Sequence, residues 1–297
     1  MKQLGKRTLR LLGKIGHVSY PVYILPVAFL TLLVLERLVP LRKPKSRFAA
    51  RLFVNATVSA LAIAVALVVV KPIATGVLER VTENHWGLAP FVSASPVIQG
   101  VVAFLLMDLS FYYWHRANHV WPILWRFHNA HHIDPDLDVT TAVRFHFVEI
   151  GYSAAFRAVQ VALIGGPLLT FIVYEVVFQL NTFFQHSNVR LPMALERGLN
   201  LVLVTPRMHG IHHSIVQRET NSNWGTIFCW WDKLHGTLRR DILQDEITIG
   251  VPAYRDEKEL TVGRLWLLPF QRQRDYWRLP GGERPERAPR RADELLE

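Results

Sequence analysis

Residues 52–70 read LFVNATVSALAIAVALVVV. This run carries no charge, its only polar members are Asn55, Thr57 and Ser59, and it matches the roughly 20 apolar residues an α-helix needs to cross the hydrocarbon core of a bilayer. A spanning helix here excludes an ordinary soluble enzyme. Outward from it, residues 20–35 are also uncharged, although Pro21 and Pro26 can kink that segment or make it re-entrant. Glu36 and Arg37 follow directly with no small-x-small cleavage site, so the segment is expected to stay as an anchor. A third span is expected over residues 97–114, with Asp108 as its one internal charge. Residues 147–164 and 167–184 are two further apolar arms, separated by Gly165 and Gly166 before Pro167. At 1.5 Å per residue, arms of this length rise about 27 Å, enough to cross and return. Glu149 and Arg157 in the first arm and Glu175 in the second make a shallow hairpin as acceptable as two full crossings.

Basic residues set the expected orientation. Arg37, Arg42, Lys43, Lys45, Arg47 and Arg51 crowd the first loop, whereas residues 71–96 hold only Lys71 and Arg80. The positive-inside rule makes the first loop cytoplasmic, and the third span then delivers His115 to that face. Lys2, Lys6, Arg7, Arg10 and Lys14 also favour the inside, which a re-entrant first segment would satisfy. The net charge of +10 over 297 residues comes from basic residues beside apolar spans, and no nucleic-acid motif accompanies them, so nucleic acid is not an expected partner. The single cysteine, Cys229, excludes a disulfide framework, a four-cysteine metal site and a CxxCH haem attachment. Residues 279–297 lack apolar periodicity and read as a disordered tail. The chain divides into membrane segments over 1–96, a histidine-rich part over 97–240 and an extension over 241–297.

Histidine is the anomaly of the composition, since ten of the 13 copies fall between His115 and His213. They form HxxxH at His115 and His119, HxxHH at His128, His131 and His132, and HxxHH again at His209, His212 and His213. A chain with 13 histidines in 297 residues is expected to contain roughly 0.025 HxxHH triplets by chance. Two of them point to selection for a shared chemistry. On a helix, the three residues of HxxHH fall within an arc of about 100°, so a triplet can present several imidazoles to one side. Asp108, His115 and His119 share a narrower stripe, which makes Asp108 a candidate to orient an imidazole.

Eight clustered imidazoles exceed the ligand need of one zinc, so two metals are implied. HExxH and ExxH pairs are absent, which disfavours a zincin protease and a carboxylate-rich di-iron bundle. Imidazole suits iron, zinc, copper and nickel alike, and spacing alone does not choose the element. A metal transporter or metal-binding membrane protein and a membrane zinc hydrolase are the competing classes. Transporters place ligands near the bilayer midplane, whereas these triplets flank spans at one face. His146 and His186 compete as a ninth ligand. His186 ends an apolar arm and is aimed at the triplets, while His146 and Glu149, at i and i+3, can pair on one helical face, which suits substrate positioning. His17 and His85 lie outside every cluster and read as interfacial residues.

The segments DLSFYYWHRANH, HNAHH, VTTAVRFHFVEI, QHSNVRLP, TPRMHGIHH and NSNWGTIFCWWDKLHGT together resemble the fatty acid hydroxylase and sterol desaturase superfamily of integral-membrane di-iron oxygenases. The resemblance covers residues 108–237, nearly half the chain, and departs from the family at Phe147, where proline is frequent, and at His235, where phenylalanine is usual. It implies a non-haem centre of two iron ions, replaceable by zinc during expression, on His115, His119, His128, His131, His132, His186, His209, His212 and His213. It also implies O2 as oxidant, a lipid as substrate and hydroxylation or desaturation as the reaction. A separate electron donor of ferredoxin or cytochrome b5 type is expected, because no such domain is fused. Asp232 gains a candidate role beside a ligand imidazole. The expected fold is all-α and multi-pass, with a cytoplasmic histidine-rich cap, and composition favours a bacterial inner membrane.

Overall fold

A computed structural model describes residues 20–92 and 95–287. His17, the basic N-terminal residues and residues 288–297 lie outside the described residues. The described chain is helical, with three isolated bridges and no strand. Helix α1 is Tyr20–Leu38, α2 is Phe48–Val65 and α3 is Lys71–Asn84, the last two joined without a break by a π-helical turn, Ala66–Val70. After a short turn of helix at Leu88–Val92 come α4, Pro96–Val120, and α5, Pro122–His132. Helices α6, Phe147–Ile164, and α7, Leu168–His186, form the hairpin. Two shorter helices matter to the site: α8, Pro206–His212, and α9, Trp230–Leu234.

Among the described residues, four stretches are long and apolar enough to cross a membrane: Phe48–Val92, Pro96–Val120, Phe147–Ile164 and Leu168–His186. Their outer faces expose Phe53, Leu67, Val68, Val97, Val101, Val159, Leu163 and Leu169, the pattern of helices whose surroundings are hydrocarbon rather than water. Inside, Leu78, Val81, Ala103, Met107, Val161, Ile164, Phe171 and Tyr174 form one core that ties the spans together. Helix α1 runs through Pro26 as a single helix rather than turning back, and Leu25, Phe29, Leu32 and Leu33 pack with Phe183 of α7.

The hairpin turns where the sequence places it. Gly165 has φ of 65° and Gly166 of 117°, conformations that glycine adopts without a Cβ clash. A Cβ on Gly165 would run into the Trp86 carbonyl and Gly87, so the far ends of α3 and α6 meet backbone to backbone.

At the opposite end, the residues after α1, α4 and α7 and those before α2 and α6 meet the cap. The first loop docks there: Lys45 N donates to Asp136 Oδ1 over 2.9 Å, and Arg51 Nε donates to Asp134 Oδ1 over 2.6 Å. The extension after residue 240 is built into this cap. Val251, Ala253, Tyr254 and Leu265 share a core with Val58, Trp125 and Ile133. The expected disorder from residue 279 does not begin there, because Arg287 pairs with Glu219 at 2.6 Å and with Glu246 at 3.1 Å.

Candidate metal centre

Two prolines set the ligand helices. Trp121 is extended (φ −87°, ψ 117°), which ends α4 at Val120, and Pro122 at the first position of α5 starts the next helix in a new direction. Pro206 opens α8 in the same way. The last turns of α4, α5, α7 and α8 thereby deliver His115 and His119, His128, His131 and His132, His186, and His209 and His212 to one point, with His213 as the residue after α8.

These histidines form three overlapping groups: His115, His119, His128 and His132; His131, His186, His209 and His213; and His132, His212 and His213. Within each group one ring nitrogen per residue lies within 4.8 Å of all the others. All nine residues are buried. In the second group, His186 Nε2 lies 3.1 Å from His131 Nε2 and 2.9 Å from His209 Nε2, and His213 Nε2 lies 3.1 Å from His209 Nε2.

Five of the nine rings are held from behind at Nδ1. His115 Nδ1 donates to Trp224 O (2.9 Å), His131 Nδ1 to Arg144 O (3.2 Å), His186 Nδ1 to Thr182 O (2.7 Å) and His212 Nδ1 to Ser222 O (2.8 Å), while His128 Nδ1 donates to Glu149 Oε1 (2.7 Å). A carbonyl or carboxylate accepts only, so the proton rests on Nδ1 and Nε2 is left with a lone pair. Buried lone pairs that face each other repel unless a cation lies among them. Further unpartnered buried nitrogens, His119 Nδ1 and Nε2, His128 Nε2, His132 Nδ1 and Nε2 and His212 Nε2, face the same need. The donor set fits a metal pair.

Burial favours the same protonation state. It lowers the pKa of His131, His132, His209 and His213 well below the usual histidine value, helped by the neighbouring imidazoles, and pushes His212 down to about 3. Neutral imidazole is the form that binds metal.

Three acids and one histidine behave differently from the sequence expectation. Asp108 touches no imidazole: its carboxylate accepts from Ile227 N, Phe228 N and Trp231 Nε1 at 3.3, 3.1 and 2.7 Å. The stripe shared with His115 is real, but Asp108 lies two helical turns below it and meets the loop that follows the last triplet. Asp232 likewise accepts from Trp224 N (2.9 Å), Gly225 N (2.8 Å) and Thr237 Oγ1 (2.7 Å), so it reaches His115 only through the Trp224 backbone. His146 does not pair with Glu149. It caps α6, accepting from Val148 N at Nδ1 (3.2 Å) and donating from Nε2 to Trp266 O (3.1 Å), and it belongs to none of the three groups. Glu149 is free to hold His128 instead. His235 stacks on Tyr112 at 4.7 Å and accepts from the Tyr113 hydroxyl over 2.7 Å, outside the metal groups.

Sequence reasoning passed over the network behind His131 and His132. Arg51 contacts Asp134 at 2.6 Å and Asp138 at 2.5 Å, Arg144 contacts Asp134 at 3.1 Å, and Asn55 Nδ2 donates to Asp134 Oδ2 over 3.0 Å, all buried. The same Arg144 supplies the carbonyl that fixes His131. Its sequence signal was the run of acids at Asp134, Asp136 and Asp138 directly after a histidine pair, facing a loop rich in arginine.

A cavity of about 290 Å³ opens from the histidines into the spans. His115, His128, His131, His186 and His209 close one end, and Ile63, Ala66, Val70, Phe111, Phe156 and Phe178 form apolar walls further in.

Residues 100–237 match the fatty acid hydroxylase family, a stretch that holds all nine clustered histidines. The chain is 33% identical over 153 residues to the ornithine lipid hydroxylase OlsE of Rhizobium tropici, covering 52% of this chain and 45% of that protein. It is 32% identical over 145 residues to alkylglycerol monooxygenase of Homo sapiens, 47% of this chain and 30% of the relative. It is 28% identical over 183 residues to cholesterol 25-hydroxylase of Homo sapiens, 58% of this chain and 62% of the relative. The chain thus spans about a third to under two thirds of the curated relatives it matches. No solved structure matches it. Over residues 100–237 this chain is similar to the fatty acid hydroxylase family.

Proposed function

We propose that this protein is a membrane-bound, non-haem di-iron oxygenase that hydroxylates or desaturates a lipid. The observation that carries this reading is the convergence of nine buried imidazoles, five with Nε2 freed by an Nδ1 anchor, beside an apolar cavity between membrane-spanning helices. His115, His119, His128, His132 and His212 would hold one iron, and His131, His186, His209 and His213 the other. Bound there, the iron pair would supply reductive activation of O2.

The chain's own residues do the rest. Trp224 O, Arg144 O, Thr182 O, Ser222 O and Glu149 keep protons on Nδ1 and hold the rings at fixed angles, which limits reorganisation during turnover. Phe111, Trp114, Phe145 and Phe156 line the approach and exclude water from it. Neutral ligands add no negative charge, which leaves the oxidant more electrophilic toward an unactivated C–H bond. Inserting one oxygen atom consumes O2, two electrons and two protons and releases water, so a separate ferredoxin- or cytochrome b5-type donor is required. In this proposal residues 97–240 form the catalytic domain, residues 1–96 and 241–297 support it, and the histidine face is cytoplasmic in a bacterial inner membrane, on the side of the arginine-rich first loop.

Similarity to relatives named for an ornithine lipid, an alkylglycerol and cholesterol supports a lipid substrate. The test is lipid analysis of cells with and without the gene, grown under isotopically labelled O2. A lipid that gains one labelled oxygen or loses two hydrogens only when the gene is present is the expected result. Oxygen drawn from water instead would mark a hydrolase and overturn the reading.

A further inference from the structure

The cavity that ends on the histidines carries charge deep in its wall. Arg157 of α6 and Glu175 of α7 line it and pair at 3.2 Å. Arg157 stands eight residues beyond Glu149 and Glu175 eleven residues before His186, so helical rise puts them about 12 Å from the carboxylate that holds His128 and about 16 Å from His186. Both sit near the middle of helices long enough to span a bilayer. Charged groups at that depth are costly and mark a ligand path more often than a support. Nor is this pair sealed in protein, since the Glu175 side chain is 54% exposed and that of Arg157 12%.

The guanidinium is held ready. Arg157 NH1 donates to Gln160 Oε1 over 2.7 Å, and Gln160 Nε2 is itself fixed by Met107 O at 3.0 Å and Ser110 Oγ at 2.7 Å. The rings of Phe178 and Phe111 lie 5.4 and 5.5 Å from its central carbon. A donor and an acceptor side by side select among lipid end groups. A carboxylate suits Arg157 but meets the charge of Glu175, and an ammonium suits Glu175 but meets Arg157. A hydroxyl satisfies both, accepting from the guanidinium and donating to the carboxylate.

We propose that Arg157 and Glu175 form a subsite for the neutral hydroxyl terminus of the lipid substrate, which fixes the oxidised carbon at about 12–16 Å from that hydroxyl. This deepens the lipid-oxidation reading and rests on it. With carbon–carbon bonds of about 1.5 Å in a zigzag, the span is on the order of ten to thirteen carbons of an extended chain. A straight-chain alcohol and a sterol present the same hydroxyl, and the test separates them.

The full chain in lipid nanodiscs should be assayed for equilibrium binding of 1-hexadecanol, its methyl ether, palmitic acid, hexadecylamine and cholesterol. The ether keeps the oxygen but cannot donate to Glu175, so an alcohol is expected to bind about tenfold more tightly than the ether, and the acid and amine more weakly than the alcohol. Whichever of hexadecanol and cholesterol binds better identifies the source of the hydroxyl. Replacing both residues, Arg157→Met with Glu175→Met, should bring the alcohol-to-ether ratio near one while metal content stays at the parent level, which shows an intact fold. Glu175→Gln, a change at a half-exposed position, should reduce the ratio without abolishing it. A ratio near one in the parent, a ratio unchanged by the double substitution, or tightest binding of the acid or amine would overturn the subsite. Binding does not depend on turnover. Hydroxyl preference lost in the variant with no oxidised product in the parent sinks the lipid-oxidation reading alone, whereas product formation with an unchanged ratio sinks the subsite alone.

Discussion

Glu149 shows how far single residues could be read. As a carboxylate in an apolar arm it was legible as purposeful, and its spacing from His146 suggested a local pair. The α6 N-terminus claims His146 first, because an unsatisfied Val148 N–H needs an acceptor, and Glu149 then reaches across to His128 at 2.7 Å. Helical spacing reports what can touch along one element and is silent on contacts between elements. Glu149→Gln should keep most of the metal while lowering metal affinity or turnover about 10-fold to 100-fold, the usual cost of removing a carboxylate behind a ligand imidazole. Iron content and product yield measured side by side check this, and parental values for both would remove Glu149 from the site. The competition between His146 and His186 is also tested at this scale. His186→Ala should lose metal. His146→Ala should keep it and cost about 1 kcal/mol of stability as a lost helix cap, read by thermal unfolding.

At the scale of elements, the hairpin was legible because Gly165, Gly166 and Pro167 interrupt two apolar runs of matching length, and glycine is what a left-handed turn requires. Gly165→Ala should therefore destabilise the protein by about 1 kcal/mol or more, from its φ of 65° together with the collision at Trp86, while leaving metal stoichiometry intact below the transition. A thermal unfolding curve that matches the parent would contradict the close approach of α3 and α6. The π-helical turn at Ala66–Val70 was not legible, since ALVVV carries no residue that favours it. Ala66 and Val70 line the cavity, so the distortion reflects tertiary packing rather than local propensity. The ligand helices were half legible. The HxxHH spacing marked α5 and α8 as presenting several imidazoles to one side, but their convergence with α4 and α7 depends on crossings that periodicity does not encode.

For the whole molecule, the cap is fastened to the spans by the buried Arg51, Asp134, Asp138 and Arg144 network, and Arg51 was read only as an orientation signal. Arg51→Met leaves two buried carboxylates without their main partner and should cost about 3–5 kcal/mol, with loss of metal following loss of the fold. Burial tends to raise both carboxyls, but for Asp134 the Arg51 and Arg144 charges outweigh it, and for Asp138 Arg51 and the Thr140 hydrogen bonds do, so both titrate below the ordinary range. Groups with depressed folded values stabilise fully above the unfolded value of about 3.9 and lose that contribution as pH falls through the folded values. The parent should thus hold its fold at neutral pH and lose this contribution only below about pH 4, whereas Arg51→Met should unfold at a higher pH. Coincident acid transitions would show that the network does not fasten the cap. The central claim is that nine histidines, eight on four helices and His213 just after the last, hold two iron ions, and metal analysis of the full chain purified from iron-replete cells without chelators tests it most directly. Two irons per chain, falling to one or fewer in both His131→Ala and His212→Ala, is the expected result; a single ion per chain, or a content unchanged by either substitution, would contradict it.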